Sequence, residues 1–249
     1  MKLLRALCIA FTTYSRVPMP QVEWSAEHMR HSLCFFPLVG VLIGALELGW
    51  LMLCKALGLG ALLKGAVGCL IPLAVSGGIH MDGFMDTADA LASGKPPEDA
   101  RKILKDPHAG AFAAMSCAMY LVLMTAVLSE ANASIVPIAF VLSRSLSALS
   151  LVTMKSASEG LVKAFSDSAA RKTVRIWMTI WIGLFGSLSL WLDPLCGFAG
   201  LCVGGICYAL YWRVSMRRFE GITGDLAGWF LQVCELCYTA AVVILRRCL

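Results

Sequence analysis

The chain has 249 residues, of which 59% are hydrophobic and 15% charged, with a formal net charge of +5. This composition excludes an ordinary soluble protein, because the apolar residues form runs that approach the roughly 20 residues a helix needs to cross a bilayer. Nucleic-acid binding has no support either, since the basic residues flank the apolar runs and are not interleaved with exposed aromatic residues.

The first residues, about 1–32, are predicted to form an interfacial segment, because a short apolar stretch is followed by two prolines and a polar stretch. Seven apolar runs follow, and only Asp193, Pro194 and Leu195 separate the fifth run from the sixth, which suits a helical hairpin. The prediction is an all-α integral membrane protein, a polytopic bundle of about seven transmembrane helices in one domain over 1–249. The spans are expected near 33–53, 62–79, 111–129, 135–154, 176–192, 196–212 and 226–245.

The distribution of Lys and Arg predicts the orientation of this bundle. With the N-terminus in the cytoplasm, the inner connections carry sixteen of these residues and the outer connections only four. Such a bias follows the positive-inside rule. We therefore expect a multi-pass protein of the cytoplasmic (inner) membrane, with its N-terminus and its site facing the cytoplasm.

The most informative stretch is residues 77–89, GGIHMDGFMDTAD. If it is helical, Asp82, Asp86 and Asp89 stand at i, i+4 and i+7 on one narrow face. Carboxylates that close repel unless a cation or strong donors neutralise them, and a divalent metal with a phosphorylated substrate would do so. A solvated acidic helix start is the alternative. His80, beside them, is left open as a base, a ligand or a helix-end donor.

A second stretch precedes the third apolar run. Lys105 beside Asp106 offers a cation for phosphate and a carboxylate for metal or proton transfer, and Gly110 would let a ligand approach the backbone. From this stretch alone, a basic interfacial anchor with Pro107 at a helix start is the favoured interpretation.

A third stretch leads into the last span. Asp225, Gln232 and Glu235 stand at i, i+7 and i+10, within roughly 80° of arc on a helix. Asp225 could serve only as the helix N-cap, whereas Glu235 at membrane depth is costly unless it is paired or ligates something. Arg144 interrupts the fourth run and should face the bundle interior. Arg144 and Arg16 are candidates for binding phosphate or amide groups, although Arg16 could simply set orientation.

Taken together, these stretches resemble the adenosylcobinamide-GDP ribazoletransferases, also called cobalamin synthases. The family pattern matches an Arg-x-Pro-x-Pro segment, a Phe-Pro-Leu-Val-Gly run, the thirteen-residue acidic motif, a Lys-Asp loop, and Thr-Gly-Asp followed by Glu on the final helix. The matching residues are 11–20, 36–40, 77–89, 105–112, 223–225 and Glu235.

The resemblance implies a late step of cobalamin biosynthesis, in which α-ribazole or its 5'-phosphate takes the phospho-cobinamide group of adenosylcobinamide-GDP and GMP is released. Mg²⁺ is the implied cofactor. The implied roles are metal binding by Asp82, Asp86, Asp89 and Asp225, catalysis by His80, Lys105, Asp106 and Glu235, and substrate binding by Arg16, Gly77, Gly78, Gly110, Arg144, Thr223, Gly224 and Gln232.

Two alternatives and the question of partners stay open at this point. A CDP-alcohol phosphotransferase also carries an Asp-Gly-x-x run, but with Ala-Arg where this chain has Asp86 and Thr87. A secondary transporter would also keep Arg144 and Glu235 at depth. The expected partners are the two substrates and the lipid bilayer, with no nucleic acid. Homo-oligomers, or association with other cobalamin-assembly enzymes, are left open.

Overall fold

The computed structural model describes residues 2–131, 135–157 and 161–249, and this part of the chain is helical. One isolated β-bridge joins Ser156 to Ile222. The α-helices, in chain order, are α1 Lys2–Tyr14, α2 Ala26–Met29, α3 Phe36–Leu57, α4 Ala61–Ser76, α5 Ile79–Ala92, α6 Pro97–Ile103, α7 Ala111–Ser129, α8 Ile138–Thr153, α9 Leu161–Ser168, α10 Arg171–Leu192, α11 Pro194–Arg218 and α12 Gly224–Cys248.

The predicted membrane bundle is confirmed, with a smaller number of full-length spans. Five segments are long and apolar enough to cross a bilayer: Ala26–Leu57, which contains α3, and helices α7, α10, α11 and α12. A sixth is reached if α4 and α5, which meet at an angle of 98°, count as one span. Each of the seven apolar runs does contain a helix. Length and composition alone select five or six of the seven expected spans among the described residues, because α4 and α8 have only 16 residues each.

The bend between α4 and α5 places the acidic motif. Gly77 and Gly78 have φ of 66° and 83°, values that glycine adopts without the steric cost of a Cβ atom. The amides of both glycines donate to the carbonyl of Leu73, which closes α4. The chain then turns sharply, so α5 leaves the direction of α4 and carries its carboxylates to one end of the bundle.

Two glycines let α5 and α12 pack backbone to backbone. A Cβ atom on Gly83 would lie 2.6 Å from Cα of Asp225, and one on Gly228 would lie 2.8 Å from the carbonyl oxygen of His80. Small residues at such crossings allow helices to approach closely. This contact brings the acidic face of α5 to the N-terminus of α12.

The predicted hairpin between α10 and α11 is also confirmed. Asp193 caps α11 by accepting a hydrogen bond from the amide of Cys196 at 3.1 Å, and Pro194 occupies the first turn. A Cβ on Gly197 would lie 2.5 Å from the carbonyl oxygen of Ser189, so the two helices are in close contact at the turn.

Helix α8 lies at the centre of the bundle. It packs against α3, α10 and α12, and nearly all of its side chains are buried, including those of Ser143, Arg144 and Ser145. Arg144 thus faces the interior, as its position in the sequence predicts.

Candidate active site

The acidic face of α5 forms as the spacing predicts. Asp82, Asp86 and Asp89 lie on one helix that begins at Ile79, with Asp82 exposed and the other two half-buried. No ion pair formed by the described residues includes any of these three carboxylates. Their mutual repulsion is therefore left to solvent or to a bound cation.

Asp225 joins this face from the start of α12. Asp86 lies within electrostatic range of Asp82, Asp225, Asp89 and Asp106, which come from three different parts of the chain. The packing of Gly83 against the backbone of Asp225 explains how close the two helices come. We call Asp82, Asp86 and Asp225 the acidic cluster.

The structure assigns the N-cap of α12 to Thr223. Its hydroxyl oxygen accepts from the amide of Leu226 at 3.2 Å and donates to Asp225 Oδ2 at 3.4 Å. Asp225 is thus not the helix cap, so that alternative is wrong. Its carboxylate is half-buried and available to a ligand.

Asp89 has partners of its own. Its Oδ2 accepts from the amide of Gly110 at 2.5 Å, and its Oδ1 accepts from the amide of Ala113 at 2.8 Å. A Cβ on Gly110 would lie 2.6 Å from Oδ2, so this contact requires glycine. Asp89 therefore ties the first turn of α7 to α5.

The loop between α6 and α7 carries Lys105 and Asp106, both exposed. Asp106 Oδ1 accepts from the amide of His108 at 3.0 Å and lies 2.8 Å from Nδ1 of the same residue. These hydrogen bonds to His108 hold the pKa of Asp106 below its ordinary value, so its carboxylate is ionised at neutral pH. His108 is not among the site residues predicted from the sequence, although its position two residues after Asp106 is a local signal for this contact.

Arg144 and Glu235 pair with each other inside the bundle. Arg144 Nη1 donates to Glu235 Oε1 at 2.6 Å, and each side chain is only 1% exposed. Ser143 Oγ donates to the same oxygen at 2.8 Å. The structure thus gives these two candidate site residues a shared, buried position, with no contact to the acidic cluster recorded among the described residues.

Two more candidates, His80 and Gln232, are buried near the α5–α12 contact. His80 Nε2 and Gln232 Oε1 have no hydrogen-bond partner within the described part of the chain. The rings of Tyr14 and Phe36 lie beside the His80 imidazole, with centroids 6.3 and 5.9 Å away. These aromatic neighbours, one from α1 and one from α3, were missed because contacts between distant segments leave no local sequence pattern.

The remaining predicted substrate-binding residues lie at exposed or half-exposed positions near the acidic face. Arg16 is exposed, its amide donates to the carbonyl of Val75 at 2.7 Å, and its side chain lies over Gly77. Gly224 is exposed at the start of α12 beside Asp225, and Gly78 follows Gly77 in the bend. Arg16 therefore lies at the α4–α5 bend, one turn before the acidic face begins.

The donor set of the acidic cluster suits a hard divalent cation only in part. Across the described residues, no three His, Cys, Asp or Glu side chains are arranged as a ready metal site. Mg²⁺, however, is commonly held by one or two carboxylates together with substrate phosphates and water. Oxygen donors that form no ion pair with any described residue therefore fit an ion that binds together with a phosphorylated substrate.

Comparison with known proteins gives consistent matches along the whole chain. The family model described as Cobalamin-5-phosphate synthase matches residues 6–243. An adenosylcobinamide-GDP ribazoletransferase of Lachnoclostridium phytofermentans is 41% identical over 248 residues, which cover 98% of this chain and 95% of that protein. Proteins of the same name from Desulfitobacterium hafniense and Ralstonia pickettii are each 32% identical, with 94% and 93% of this chain and 95% and 92% of theirs covered. No solved structure gives a significant match.

Proposed function

Because the chain belongs to the cobalamin-5-phosphate synthase family, and is thus a transferase of late cobalamin biosynthesis, we propose how its acidic cluster carries out the reaction. A ribose hydroxyl oxygen of α-ribazole, or of its 5'-phosphate, forms a bond to the phosphorus on the aminopropanol arm of adenosylcobinamide-GDP. The bond from that phosphorus to the bridging oxygen of the pyrophosphate breaks. GMP leaves with the bridging oxygen, and the hydroxyl proton passes to a base.

Asp82, Asp86 and Asp225 are the proposed ligands of Mg²⁺. The observation that carries this assignment is the convergence of their carboxylates from two helices, without a cationic partner among the described residues. When bound, Mg²⁺ supplies positive charge to the pyrophosphate that is split. In this proposal, the protein holds the acidic residues and the substrate phosphates on one side of the α5–α12 contact.

The loop between α6 and α7 supplies the proposed cation and base. Lys105 is exposed and can approach phosphate oxygens, where its ammonium group offsets negative charge. Asp106 is ionised at neutral pH and lies within electrostatic range of Asp86, so it is our candidate for accepting the hydroxyl proton. Arg16, against Gly77, is the proposed contact for an outer phosphate or amide of the substrate.

The test is an assay of GMP release and of cobalamin formation by purified protein in detergent or liposomes, with and without Mg²⁺. We expect metal-dependent formation of both products and at least a hundredfold lower rate in Asp82→Asn and Asp86→Asn, the size of effect typical of lost charge stabilisation. Asp99→Asn is the matched control, because Asp99 is an exposed acid on α6 that pairs with Lys102. Near-normal turnover in a folded Asp82→Asn sample would refute the assignment.

We further propose that the site faces the cytoplasm. The five or six apolar spans establish the multi-pass character, and the excess of Lys and Arg in alternate connections supports this orientation. Under the same arrangement, the loop between α6 and α7 and the start of α12 open on the same side as the N-terminus.

A further inference from the structure

A second polar cluster lies inside the bundle, away from the residues used above. Glu47 lies in the middle of α3, is 0% exposed, and neither of its carboxylate oxygens has a hydrogen-bond partner in the described residues. A buried carboxyl group without any partner is strongly unfavourable. An ionisable residue at membrane depth is, by default, evidence of a functional site.

Residues of α4, α7 and α12 lie near Glu47. Gly68 of α4 makes room for it, since a Cβ there would lie 3.3 Å from Glu47 Oε2. Glu235 of α12 lies within electrostatic range of Glu47, and Tyr120 of α7 lies within range of both. Cys69 also faces this region, with its thiol directed at the carbonyl of Leu121 at 3.9 Å.

Several buried polar atoms in this region have no hydrogen-bond partner among the described residues. Arg144 lies within electrostatic range of Tyr120. Its Nη1 donates to Glu235 Oε1, while its Nε has no hydrogen-bond partner among the described residues. The other oxygen of Glu235 and the hydroxyl of Tyr120 have no hydrogen-bond partner among the described residues, like both oxygens of Glu47. When Glu47 is ionised, two carboxylates beside one guanidinium leave one negative charge in excess among these residues.

We propose that Glu47, Glu235 and Tyr120 bind one monovalent metal cation inside the bundle, a site separate from the acidic cluster. Hard cations prefer oxygen ligands, and a single positive charge balances the excess carboxylate. A divalent ion would instead leave net positive charge in the apolar interior. The bound ion would join α3, α7 and α12 and so stabilise the folded bundle.

Sodium is the probe. The melting temperature of the purified full-length protein in detergent is measured as NaCl replaces N-methyl-D-glucamine chloride at constant ionic strength, with KCl in parallel. We expect a saturable rise of about 2–4 °C with sodium, the shift that ligand binding to the folded state produces in a protein of this size. Glu47→Gln should lose this rise. Glu98→Gln, the same change at an exposed residue of α6, should keep it.

Equilibrium binding of ²²Na⁺ to the wild-type protein provides a second measurement that does not depend on how the variant folds. The expected result is saturable binding of one ion per chain, and its absence would overturn the proposal. Equal melting temperatures in all salts would do the same. If lower pH stabilised the protein equally in every salt, a proton on Glu47 would be the occupant, and the metal-cation proposal would be wrong.

Discussion

At the scale of single residues, the pair of Arg144 and Glu235 offers a sharp experiment. Removing one partner leaves the other charge buried without compensation, which costs about 3–5 kcal/mol. We therefore expect Arg144→Met and Glu235→Leu each to lower the yield of folded protein severely. The double variant should recover most of it, because apolar replacement of a whole buried pair is often neutral. Melting temperature and the monodisperse fraction in detergent measure both effects.

The double variant also tests whether Glu235 acts in catalysis. If Glu235 has the catalytic role implied by the sequence motif, the folded double variant will make no GMP from adenosylcobinamide-GDP. Retained turnover would show instead that the pair only stabilises the bundle. A variant pair on an exposed ion pair, Lys102→Met with Glu98→Leu, controls for the loss of charge alone.

Substitution of Asp89 distinguishes a residue that binds the metal ion from one that positions the loop before α7. Both of its oxygens accept backbone amides of the α7 N-terminus, so Asp89→Asn removes one acceptor and should cost about 1–2 kcal/mol of stability. We expect turnover to fall because the Lys105 loop shifts, while the Mg²⁺ concentration for half-maximal rate stays at the wild-type value. Asp82→Asn should raise that concentration. If a Mg²⁺ titration showed that both variants raise the half-maximal Mg²⁺ concentration equally, Asp89 would be assigned as a metal ligand.

At the scale of helices, the site depends on how closely α5 and α12 approach. A methyl group at Gly83 or Gly228 would press on the backbone of the other helix, and such overpacking costs about 1–3 kcal/mol. We expect Gly83→Ala and Gly228→Ala each to lower both the melting temperature and the rate of GMP release. Gly49→Ala on α3 is the control, because nothing lies within 4 Å of its added methyl. A fully active, stable Gly83→Ala would show that the close contact is not required.

The helices themselves could be predicted from the sequence, whereas the contacts between them could not. The spacing of Asp82, Asp86 and Asp89 correctly predicts one helical face, because helical periodicity is a local property. The bond from Gly110 to Asp89 and the pairing of Arg144 with Glu235 join residues far apart in the chain, and a single sequence contains no local signal for such contacts. The bend at Gly77 was missed for another reason: the apolar run continues through it.

At the scale of the whole molecule, the number of membrane crossings decides on which side the chain ends. Helices α4 and α8 have 16 residues, about 24 Å of helix, against a hydrocarbon core of about 30 Å. Helix α8 nevertheless needs little lipid contact, because other helices cover nearly all of it. A short helix that is buried in protein can cross without its backbone ends meeting lipid.

We therefore expect all seven apolar helices to cross, which places the C-terminus opposite the N-terminus. Alkaline phosphatase fused after Leu249 should be active in cells, since it folds outside the cytoplasm, and green fluorescent protein at the same point should be dark. The reverse result would mean an even number of crossings. Fusions after Lys95 serve as the internal control. The distribution of Lys and Arg places that loop in the cytoplasm, and this placement does not depend on whether the helices after Lys95 cross.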